Sequence, residues 1–148
     1  MKPQNYSSFV LGLGGILLIG LGLYFVFLRP PLLPEDPRYI GTTLAEIQAT
    51  LPGLLVWLRR VFWVMGGFMV ASGLLTIYIA VTTFGQLGRG TRLLVALANL
   101  TSIGWMAVVN FMIDSDFKWL LLTFNFPWIL ALFLSWVKAD RRETAAFV

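Results

Sequence analysis

The residues best equipped for chemistry stand close together in one stretch, RPPLLPEDPRYIGTTLAEIQATLPGLLVWLRR, which runs from Arg29 to Arg60. Glu35 and Asp36 are adjacent carboxylates, with Arg38 and Tyr39 just beyond them. Paired carboxylates can hold a cation or a basic partner, and an arginine can hold a lipid phosphate or a carboxylate. In an enzyme working at a membrane surface, Glu35 or Asp36 would be the acid or base. The spacing matches no metal loop of the EF-hand kind. The plainer reading is a turn punctuated by prolines, its charges solvated and Asp36 capping a short helix opened by Pro37.

A second polar set lies among apolar residues. Asn99, Ser102 and Asn110 fall along one helical face, and Thr123 and Asn125 come to a similar depth as Asn110 if the following helix folds back. Buried amides without water need partners, so these residues either hydrogen-bond between helices and fix their register or line a small polar pocket. The third set is Arg59 and Arg60, with Trp57 and Trp63 close by. It could hold a lipid headgroup or a quinone-like ligand, or simply snorkel to an interface.

The missing residue types narrow the chemistry further. The chain has neither histidine nor cysteine. Haem ligation, ordinary structural zinc, disulfides and Cys or His catalysis are therefore closed to it unaided. We expect no metal, no cofactor and, on balance, no catalytic activity; the redox compartment stays open. A net charge of +4 fits loops facing anionic lipid, and nucleic acid is not an expected partner.

These residues must be positioned by greasy rods. Of the 148 residues, 58% are hydrophobic and only 12% charged, where soluble domains carry about a quarter. The fold expected is an all-α membrane protein, a four-transmembrane-helix antiparallel bundle in a single domain. Spans are expected at residues 9–28, 61–84, 93–113 and 119–137. The connection 29–60 should carry a short amphipathic surface helix at about 43–51, opened by the capping box Thr43-Leu44-Ala45-Glu46 and closed by Pro52-Gly53. Arg29-Pro30-Pro31 stops the first span, and Gly85 to Arg92 reads as a flexible turn carrying Arg89 and Arg92. Pro127 should kink the fourth span or free a carbonyl.

Gly15 and Gly22 lie seven apart on one face of the first span, and Gly66 and Gly73 repeat that spacing in the second. Two such stripes predict close packing of these spans on each other; self-association is the alternative. An even number of spans puts both termini on one side, with Lys2, Arg89, Arg92, Lys138, Arg141 and Arg142. Arg29, Arg38, Arg59, Arg60 and Lys118 take the other. The margin of one places the termini in the cytoplasm.

No acidic or basic residue falls inside a span on this reading, unlike ion-coupled transporters. The first functional expectation is a structural or accessory component, packing in the bilayer against other membrane subunits or itself as a homo-oligomer. The alternative is a binding or transport unit for a lipophilic small molecule or lipid, in a pocket lined by Asn99, Asn110 and Asn125 and gated by the first connection. An interfacial enzyme using Glu35 or Asp36 comes third.

Overall fold

A computed structural model of the chain describes residues 4–82 and 89–146, with the side chains of 6–82 and 89–138. Lys2, Phe84, the glycine turn at 85–88 and the side chains of Arg141 and Arg142 lie outside these. In chain order the helices are α1 (Gln4–Phe27), α2 (Glu35–Ile40), α3 (Leu44–Thr50), α4 (Pro52–Thr82) and α5 (Arg89–Asn99). A π-helical segment (Leu100–Gly104), α6 (Trp105–Met112), α7 (Lys118–Thr123) and α8 (Phe126–Ala146) complete them. No strand occurs among the described residues. Four stretches are long and apolar enough to cross a membrane: Tyr6–Phe27, Pro52–Thr82, Arg89–Met112 and Lys118–Lys138.

Three boundaries differ from those read in the sequence. α4 is one helix of 31 residues, about 46 Å long. It opens at Pro52, whose missing amide proton costs nothing at the first helical position. The crossing expected from Val61 is thus the continuation of a longer rod, and Arg59 and Arg60 are exposed side chains within it. Arg89 and Arg92, read as turn residues, belong to the first turn of α5. The expected fourth span is broken into α7 and α8 ahead of Pro127.

The glycines explain how α1 meets α4. A Cβ placed on Gly22 would lie 2.7 Å from the Gly66 carbonyl oxygen, and one on Gly66 would lie 2.6 Å from the Gly22 oxygen. The same reciprocity joins Gly15 and Gly73, at 2.9 and 2.7 Å. Rising numbers on one helix meet falling numbers on the other, so the two run antiparallel with their backbones in contact. On its other side α1 receives α8: the Trp128 indole nitrogen sits 2.8 Å from where a Gly14 Cβ would be. Leu11, Leu18, Ala80, Val95, Ile103, Trp128 and Ala131 form the shared core.

In the first connection, Gly41 ends α2 at φ 83°, the left-handed conformation in which a side chain is strained. Thr43 then caps α3, its hydroxyl accepting the Glu46 amide at 3.2 Å. The Glu46 carboxylate takes the Thr42 hydroxyl at 2.7 Å, so it serves a neighbouring side chain rather than the backbone of the cap. Asp36 lies inside the first turn of α2 and reaches back to accept the Leu33 amide at 2.7 Å.

Candidate functional site

The third and fourth long rods are each irregular near the middle, and the two irregularities face one another. In the third, consecutive hydroxyls bond back into their own helix: Thr101 Oγ1 donates to the Leu97 carbonyl at 2.8 Å and Ser102 Oγ to the Ala98 carbonyl at 2.6 Å. Such back-bonding competes with the backbone ladder, and here the ladder widens into the π segment. In the fourth, Pro127 has no amide proton and crowds the preceding turn, so α7 closes through a tighter bond from the Asn125 amide to the Leu122 carbonyl at 3.1 Å. A Cβ on Gly104 would stand 3.6 Å from Asn125 Oδ1.

Between them lies a groove of about 760 Å³, open along one side. Its wall includes Ala96, Asn99, Leu100 and Gly104 from the third rod, with Asn125 and Ile129 from the fourth. The wall is apolar apart from the two amides. Asn99 is 8% exposed and its Oδ1 has no hydrogen-bond partner; Asn125 is 6% exposed and donates Nδ2 to the Leu121 carbonyl at 3.1 Å.

The remaining members of that polar set sit elsewhere. Asn110 donates to the Met106 carbonyl at 2.9 Å, and Thr123 to the Leu120 carbonyl at 2.7 Å. Ser102, Asn110 and Thr123 thus bond within their own rods and Asn125 bonds back to α7, where the sequence suggested either bonds between helices or a polar pocket. A carbonyl one turn back is always within reach, whereas a partner helix must come close.

Beyond Met112 and Leu122, the first connection docks on the loop between α6 and α7. Glu35 is 1% exposed, and one carboxylate oxygen accepts the hydroxyl of the equally buried Ser115 at 2.8 Å while the other has no partner. Arg38 pairs with Asp116 at 3.2 Å. Arg29 lays its guanidinium on the Phe62 ring, 3.5 Å from the centroid, and stands 3.7 Å from Asp36. Burial lowers the Arg29 pKa, with Asp36 opposing the shift. Tyr39 points outward. The four residues read as one polar cluster therefore diverge: Glu35 turns inward, Asp36 to Leu33 and Arg29, Arg38 to the next loop, and Tyr39 to the surroundings.

Near the other end of the groove Arg92 is only 8% exposed, its Nη1 donating to the Ser135 carbonyl at 3.1 Å. Its Nε has no partner, and the Trp136 ring centroid is 5.6 Å from the guanidinium carbon. Placing Arg92 in a turn concealed this. The available signal was its phase, since Arg92, Ala96 and Asn99 recur at helical intervals on one face. Ser115 carried no comparable signal.

Among the described residues no group of three acidic, histidine or cysteine side chains is arranged to hold a metal. Compared with models of known protein families, with curated proteins and with solved structures, the chain matches none.

Proposed function

We propose that this is a multi-pass membrane protein, a four-span antiparallel bundle that binds a lipophilic small molecule or lipid in the groove between its third and fourth spans. It acts as a binding or transport unit rather than a catalyst. Exposed side chains such as Phe9, Phe27, Phe68, Val81 and Met112 cover the long helices, while several of the buried ones are polar. That distribution suits hydrocarbon as the surrounding solvent. A groove of 760 Å³ lies within the roughly 300–1,000 Å³ usual for small-molecule sites.

The observation that carries the reading is the groove itself, whose wall is apolar apart from Asn99 and Asn125. An apolar wall carrying two amide-bearing residues suits a chain-like molecule with a single polar group. Mild extraction followed by native mass spectrometry should retain such a molecule on the wild type. Asn99→Leu should lose it, and retention on that variant would refute the assignment.

The accessory reading keeps one specific support. The rod Arg89–Met112 packs chiefly on α7 and α8, leaving Leu93, Leu94, Leu97 and Leu100 outward. A mass corresponding to a protein complex, with no small molecule aboard, would favour it. The enzyme reading needs a presented carboxylate, whereas Glu35 is enclosed and Asp36 is engaged by the Leu33 amide. We propose the termini on the cytoplasmic side. Single cysteines introduced into this cysteine-free chain, probed with an impermeant label, test that placement.

A further inference from the structure

α4 runs on past the end of its neighbour α1. Its residue numbers fall as those of α1 rise, so the Gly22–Gly66 contact sets Phe27, where α1 ends, level with Val61. Residues 61–82 then make about 33 Å of helix, enough for the roughly 30 Å hydrocarbon core. Arg59 and Arg60 stand just outside that core, at the depth of lipid phosphates, on the side away from the termini. Both are exposed, and neither makes a hydrogen bond or ion pair among the described residues. The other cations at this end are engaged: Arg29 by Asp36, Arg38 by Asp116 and Lys118 by Asp114. Glu35 is enclosed with Ser115, and Glu46 takes the Thr42 hydroxyl. The last two acids, Asp140 and Glu143, follow Ser135 in α8, at the opposite end of the rods, where Ser135 meets Arg92. One turn to either side of Arg60, Trp57 and Trp63 are at least half exposed. The same face continues through Gly67, whose Cβ would meet nothing within 4 Å, to the exposed Leu74 and Tyr78.

Resting on the membrane reading and not on the groove, we propose that Arg59 and Arg60 form a binding site for an anionic phospholipid. The two guanidiniums hold its phosphate, Trp57 and Trp63 flank the headgroup, and its chains lie along the face of Gly67, Leu74 and Tyr78. Arginine matches phosphate oxygens with paired N–H donors, and its long stem lets the charge reach the headgroup layer. A zwitterionic lipid would bring its own ammonium to two cations that lack an acid, whereas an anionic one brings the net negative charge they need.

The test reconstitutes the full chain in nanodiscs holding equal amounts of phosphatidylglycerol and phosphatidylcholine with identical acyl chains. Native mass spectrometry then reads the lipids retained. The wild type should keep phosphatidylglycerol about tenfold better than phosphatidylcholine. Arg59→Gln combined with Arg60→Gln should remove most of that preference, while the paired lysine substitutions should keep most of it. The basic residues near the termini are intact in both variants. A preference that survives the glutamines, or equal retention by the wild type, would therefore overturn the site and leave the membrane reading standing. A chain that stays in solution without detergent or lipid would overturn both. Should the glutamine variant fail to fold, phosphatidylglycerol with a photoreactive headgroup decides the matter on the wild type. Its cross-links should fall within residues 56–64, and their absence there would overturn the site.

Discussion

The two halves of this molecule are joined by opposite means. α1 and α4 meet closely at their glycines: Gly15 faces Gly73 and Gly22 faces Gly66, with Ile19, Val26, Val70 and Ile77 packed tightly around the two contacts. The third and fourth long rods meet through side chains, with a π segment on one, a proline break on the other and 760 Å³ of groove between. Without a hydrophobic drive between helices in lipid, contact depends on close packing, which the first pair has along its length. The second pair keeps its polar atoms partly unpaired. On the proposed binding function, the first half is the scaffold and the second is the working half that holds the ligand.

Breaking the scaffold should have the largest effect. In Gly66→Val the added atoms meet the Gly22 carbonyl, starting from a Cβ that would already lie 2.6 Å away. Backbone cannot swing aside, so about 3 kcal/mol of stability should be lost in detergent unfolding. Gly67→Ala is the control: nothing lies within 4 Å of its Cβ, and the helix should gain up to about 1 kcal/mol. Equal losses in both variants would mean that the glycine contact is not what holds α1 to α4.

A smaller loss should follow from Ser115→Ala, which tests how the first connection is tied across to the second half. The hydroxyl is the only donor to the buried Glu35 carboxylate among the described residues. Removing it should cost about 1–3 kcal/mol, seen as faster amide exchange over residues 33–43 while α1 and α4 stay protected. Unchanged exchange would show the connection to be held by something else.

How far the sequence disclosed these halves depended on periodicity. Four long helices were legible because an unbroken apolar run of about twenty residues rarely arises outside a membrane span. The pairing of glycine stripes was legible because spacing alone puts Gly15 and Gly22 on one face. Burial of Glu35 was hidden, because its hydroxyl donor comes 80 positions later and no local pattern links the two. The polar residues of the third rod were recognised by type but not by partner, since a carbonyl four residues back is as available as another helix. Arg92 was hidden by its glycine neighbours, which read as a turn although the helix has already begun.

Asn99→Leu sharpens the comparison in the opposite direction. Replacing a buried amide that has an unpaired oxygen with a hydrocarbon of similar size should leave the apoprotein equally or slightly more stable, by up to about 1 kcal/mol. The same change should abolish retention of the lipophile. A variant that lost stability would move Asn99 from the working half to the scaffold.

The smallest effect concerns the loop that joins the two rods of the working half. Asp114 adopts φ 51°, a left-handed conformation that aspartate tolerates better than most residues, and its carboxylate contacts Lys118 one turn ahead. The hydrogen bond and charge of Lys118 lower the Asp114 pKa below its ordinary value near 3.8. A carboxylate depressed on folding adds stability above its unfolded pKa and loses it as pH falls through the folded one, so the change lies below about pH 4. Because this carboxylate is fully solvated, screening should leave little of the shift as stability. Titration of the Asp114 carboxyl carbon by NMR should therefore move up in Lys118→Met, while the unfolding temperature at neutral pH stays where it was. A marked drop there would make this turn, and not the glycine contacts, the more important constraint on how the second pair of rods is held.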